Sequence, residues 1–66
     1  MNLPKLKGVI RERGKNYAQC ANSMGRSVAS FNSKINGRVS FTIGELEDLG
    51  NYLEMTDAEK IDVFLR

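Results

Sequence analysis

Ala29, Asn32 and Ser33 fall, at helical spacing, on the side of a short segment opposite Phe31 and Ile35, and Lys34 and Arg38 flank its end. A methyl group, an amide and a hydroxyl can touch, donate and accept, which is the chemistry of recognition. Catalysis needs several convergent groups, and they are missing here. The chain has no histidine and a single cysteine, so the carboxylates Glu45, Glu47, Asp48 and Glu54 have no His or Cys to complete a metal site. Its glycines stand at helix ends and packing positions, without the order of a phosphate-binding loop. The residues predict no catalytic site, no metal and no cofactor. A small polar helical face among basic residues fits the major groove of double-stranded DNA.

Such a face must be held by its neighbours, and residues 16–38 read as a unit built for that purpose. Asn16 and Gln19 form a capping-box pair that opens one helix, with Cys20, Ala21 and Met24 as its buried positions. Gly25 ends it, Arg26 lies in the turn, and Ser27 caps a second helix over residues 28–36 that Gly37 stops. Phe31 and Ile35 anchor this second helix. Val28 lies at the edge of their stripe, so it either packs inward or joins the outer face.

Three more helices complete an all-α chain. Pro4 suits a first helical turn, Leu6, Val9 and Ile10 recur at helical spacing, and Gly14 ends that helix, giving residues 4–13. Thr42 with Glu45 and Thr56 with Glu59 are further capping boxes. The former opens a helix carrying Ile43, Leu46, Leu49 and Leu53, and the latter a helix carrying Ile61, Phe64 and Leu65. Gly44 and Gly50 would be costly inside an isolated helix, which predicts another backbone close to each. No alternating stretch is long enough for a strand.

At 66 residues the chain is one small domain with room for a modest core and no large cleft. The overall charge of +2 hides a division: residues 1–38 carry +7 and residues 39–66 carry −5. A basic half attracts a polyanion while an acidic half orients the encounter. A lone cysteine excludes an intrachain disulfide, and Cys20 among apolar neighbours reads as a buried small hydrophobe. There is no signal-peptide pattern and no membrane-spanning apolar run, so the expected compartment is the cytoplasm.

These features together resemble the small phage-type helix-turn-helix regulators related to Cro and to the DNA-binding domains of phage repressors, an XRE-like group. The resemblance runs from about Leu6 to Leu65 and is carried by Cys20, Ala21 and Met24, then Gly25, Ser27, Phe31, Ile35 and Asn36-Gly37-Arg38, and by the capped helix after Thr42. It implies a five-helix phage-repressor-like domain, with the helix-turn-helix at helices 2 and 3, that binds operator DNA as a homodimer. Carried over by position, Val28, Ala29, Asn32 and Ser33 would meet base edges. Phosphate contacts would come from Tyr17, Arg26, Ser27, Lys34, Asn36 and Arg38. The chain departs from the pattern of the family it resembles in having Tyr17 where many members carry glutamine, and Lys34-Ile35 where many carry an apolar residue followed by an acid.

Two-fold pairing needs a surface outside the motif, and Met55, Ile61, Phe64 and Leu65 either form it or close the core. Brevity favours a Cro-like repressor acting by promoter occlusion, without a small-molecule ligand. The competing reading is a helical protein-interaction module, such as an antirepressor or adaptor, that keeps the fold without binding DNA.

Overall fold

The computed structural model describes residues 1–66 and contains five helices and no strand. They are α1 (Leu3–Glu12), α2 (Tyr17–Ser23), α3 (Val28–Ile35), α4 (Ile43–Tyr52) and α5 (Asp57–Phe64). Each starts on a side chain that accepts a backbone N–H of its first turn: Asn2, Asn16, Ser27, Thr42 and Thr56. Reciprocal capping boxes form at Asn16/Gln19, Thr42/Glu45 and Thr56/Glu59. Each cap contributes about 1 kcal/mol, a sizeable share of the stability of a chain this small.

The first helix begins and ends a residue earlier than its sequence pattern suggests, because Asn2 caps it and Pro4 falls within its first turn. Asn36 is the C-cap of α3 and lies outside the helix. Gly14, Gly25 and Gly37 all take φ between +67° and +81°, the left-handed conformation that ends a helix without a Cβ clash. After α4 that conformation falls to Glu54, with φ of 53°. A side chain there is strained.

The core is a single cluster drawing on all five helices. Leu6, Val9 and Ile10 enter from α1, Cys20 and Ala21 from α2, Phe31 and Ile35 from α3, Leu49 from α4 and Val63 from α5, with Met24, Leu53 and Met55 from the connections. Phe31 is fully buried, with Tyr17 tilted against it at 5.3 Å and Phe41 edge-on at 6.0 Å between ring centroids. Helix α2 packs on α3 and α4, and α1 packs on α5. The backbone N–H of Asn2 donates to the Val63 carbonyl at 2.8 Å, which ties the chain's start to its last helix.

Three expectations change. Met55 is buried in the core, so it is not part of a surface that could meet a partner. In α5 the inward residue is Val63, while Ile61 and Leu65 face solvent and Phe64 is half-buried, because the helix docks one step round from the stripe its larger side chains suggest. Nothing lies within 4 Å of a Cβ built on Gly44, whereas at Gly50 the neighbours are the Lys60 Cε at 3.3 Å and the Phe64 ring at 3.7 Å. The close approach at Gly50 is thus by side chains of α5. Glu54→Gly, which removes the left-handed strain, should raise the unfolding free energy by about 1 kcal/mol in urea melts, and Gly25→Ala should lower it by at least as much.

Candidate nucleic-acid interface

Helix α3 is fastened along one side and open along the other. Phe31 and Ile35 sink into the core, and Lys34, next to Ile35, turns inward with them and is only 7% exposed. Its ammonium lies 2.6 Å from Glu45 Oε1 and 3.5 Å from the Ser40 carbonyl oxygen. Lys34 therefore cannot serve as the phosphate contact expected of it. Its position beside the core stripe puts it within reach of the carboxylate that starts α4.

That carboxylate gathers the surrounding elements. Glu45 is 5% exposed; its Oε1 also accepts the Thr42 N–H at 2.9 Å, and its Oε2 accepts Arg26 Nε at 2.7 Å. One acidic side chain so joins the start of α4, the end of α3 and the α2–α3 turn. Burial pushes the Glu45 pKa up, but hydrogen bonds from Lys34, Thr42 and Arg26 outweigh it and hold the group at about 2. Arg26 keeps about half its side chain in solvent and makes its one side-chain hydrogen bond through Nε. Its terminal amino groups remain free to meet an anion.

The open side of α3 carries Val28, Ala29 and Asn32, all exposed, with Ser33 half-buried beside them. Val28 thus belongs to the outer face. Ser27 Oγ accepts the Ser30 N–H at 3.1 Å and is occupied as a cap. Asn36 and Arg38 are exposed past the end of the helix, where the Ser33 carbonyl holds the chain by accepting the N–H groups of Arg38 and Val39. The ring of Tyr17 covers Phe31, and its hydroxyl makes no hydrogen bond within the protein.

A second surface lies on α4 and α5. Ile43 and Leu65, each 78% exposed, border an open groove of about 310 Å³ with Leu46, Phe64, Glu47 and Lys60. Ile61 joins Phe64 and Leu65 on an adjoining groove. The sequence pattern groups Ile43 and Leu46 with Leu49 and Leu53, but the inward stripe of α4 runs through Glu45, Leu49 and Leu53. Ile43, about 200° round the helix from Glu45, turns outward while Leu46 stays half-buried.

No cluster of three or more His, Cys, Asp or Glu side chains is placed to hold a metal ion. Cys20 is fully buried, and burial raises its thiol pKa against a smaller opposing effect of Lys15. No helix is long and apolar enough to cross a membrane. Comparison with known proteins finds no family model, no curated protein and no solved structure that matches the chain.

The pKa of Glu45 lies below its ordinary value of 4.5, so between about 2 and 4.5 the unfolded chain binds more protons than the folded one. Its contribution to stability is complete above 4.5 and disappears as pH falls toward 2. Glu59, also lowered, by the Thr56 N–H and by Arg13, acts in the same direction. Acid unfolding followed by circular dichroism should show this loss, and Glu45→Gln should flatten the curve while leaving the part due to Glu59. At neutral pH Glu45→Ala should cost about 3 to 5 kcal/mol, because Lys34 is left charged and buried without its partner.

Proposed function

We propose that this protein is a sequence-specific double-stranded DNA-binding transcriptional regulator in which α2 and α3 form the helix-turn-helix of a phage-repressor-like domain. The observation that carries the reading is the α3 face bearing Val28, Ala29 and Asn32, which is left open while the opposite face is fixed by Phe31, Ile35 and the Lys34–Glu45 pair. A recognition helix needs this combination of a rigid seat and free small side chains, since its N-terminal half must enter the major groove. Asn32 is suited to paired hydrogen bonds with adenine, and Val28 and Ala29 to thymine methyl groups. Arg26, Asn36 and Arg38 take phosphate contacts, joined by the Tyr17 hydroxyl and by Ser27 as far as its cap allows. Few groups read bases directly, so backbone contacts and duplex shape carry much of the selectivity.

Binding to a palindromic operator calls for a two-fold dimer with half-sites about 34 Å apart. The α4–α5 surface supplies the apolar contact through Ile43, Leu46, Ile61, Phe64 and Leu65. Glu47 and Lys60 border the same groove, so an isologous contact can set the acid of one copy against the base of the other. The dimer represses by covering a promoter.

Selection of bound sites from a random duplex pool tests the reading: a symmetric motif with half-sites one helical turn apart is expected. Asn32→Ala should relax preference at one base pair per half-site, by about 1 to 3 kcal/mol, without changing the salt dependence. Leu65→Asp should sediment as a monomer at concentrations where the parent protein is a dimer, and should weaken binding to a full site more than to a half-site. The exposed Ile43 and Leu65 also suit a protein-interaction module. Recovery of no enriched sequence, with no salt-dependent duplex binding, would overturn the DNA reading in its favour.

A further inference from the structure

The charge division of the sequence is partly spent inside the fold. Lys5 pairs with Asp62 at 3.4 Å, Arg13 with Glu59 at 2.6 Å, and Arg26 and Lys34 with Glu45, so these cations of the basic half are held by carboxylates of the acidic half. Lys7, Arg11 and Lys15 have no carboxylate within salt-bridge distance. All three line one open groove of about 400 Å³ between α1 and the start of α2, with Asn16 and Tyr17 completing its polar wall. No acidic side chain borders it.

The arrangement is fixed by local chemistry. Lys7 and Arg11 are four residues apart on α1 and so share a face. Lys15 lies on the link to α2, where its ammonium stands 5.0 Å from the centre of the Tyr52 ring, an attraction that steadies the side chain without neutralising it. Tyr17 borders the groove and packs its ring on Phe31, the anchor of α3. Tyr17 therefore links the groove to the buried side of α3, and its hydroxyl is also among the phosphate contacts proposed for the helix-turn-helix.

We infer that this groove is a second phosphate-binding site, in which Lys7, Arg11 and Lys15 hold the sugar–phosphate backbone of the duplex that receives α3. The inference rests on the DNA-binding reading above and adds a contact track outside the helix-turn-helix. Uncompensated cations concentrated in one groove attract a polyanion, whereas a cation such as Lys5, its charge matched by Asp62, adds little to that attraction. The Tyr17 hydroxyl, unpaired within the protein, can donate to the same phosphates. Such contacts position the protein and carry no sequence information.

The test is the salt dependence of binding to a labelled duplex of arbitrary sequence, read by fluorescence anisotropy. Lys7→Gln, Arg11→Gln and Lys15→Gln should each reduce the slope of log affinity against log salt by about 0.9, and the triple variant by nearly three times that. Lys15→Arg should retain the parent slope, and Lys5→Gln, which removes a cation already paired with Asp62, should change it little. Thermal melts of the same variants separate this effect from unfolding. A folded triple variant with the parent slope overturns the site while leaving the DNA reading intact. A parent protein without salt-dependent duplex binding overturns both.

Discussion

The carboxylate of Glu45 is held by the Lys34 ammonium at 2.6 Å, Arg26 Nε at 2.7 Å and the Thr42 N–H at 2.9 Å, and the placement of α3 depends on it. An ion pair this deep is not an economical source of stability, since desolvation offsets much of the attraction. What it supplies is geometry. A hydrophobic contact between Ile35 and the core tolerates small rotations of the helix, but charged hydrogen bonds from both the turn and the end of α3 to one acid tolerate few. The same pattern recurs at Glu59, which closes the cap of α5 and accepts Arg13 Nη2 at 2.6 Å from just past α1. In each case the acid that completes a local helix start is also the acceptor for a distant cation.

This double use changes the meaning of the charge division. Read along the chain, a basic stretch followed by an acidic one suggests a molecule with opposite poles. In the fold, Lys5, Arg13, Arg26 and Lys34 are turned toward the acidic half and bind it. Four of the eight cations of the basic stretch are thus paired within the protein, Lys34 deep inside it and Lys5 and Arg26 at its surface. The remainder is concentrated on the groove of Lys7, Arg11 and Lys15 and at Arg38, a smaller and better defined electrostatic surface than the sum of charges implies.

The α4–α5 surface follows from a similar competition. A helix as short as α5 can bury only one narrow stripe, and Val63 takes it. Ile61 and Leu65 are left outside and Phe64 half-covered, its ring beside the open backbone at Gly50. A chain this small has too little interior for all its large apolar side chains, so some remain at the surface as contact area.

The sequence by itself determined the helices, because caps, glycine stops and periodicity are local signals. Asn16, Ser27, Thr42 and Thr56 mark starts within one or two turns of the groups they satisfy, and Gly14, Gly25 and Gly37 mark ends through φ values other residues rarely take. Phe31 and Ile35 as anchors, and Ala29 and Asn32 opposite them, were legible for the same reason, whereas Val28, at the edge of the stripe, was placed on the outer face only by the packing. Asn2 caps α1 by an equally local signal that Pro4 two residues later obscures, and Glu54 has the wrong side chain for the conformation it adopts. Only the tertiary structure decided the fate of Lys34, Met55 and Val63, and which cations remain unpaired. A lysine beside an apolar stripe is drawn inward only if an acid waits there, and Glu45 stands eleven residues away. Partners so distant in sequence are chosen by packing, which no local pattern records.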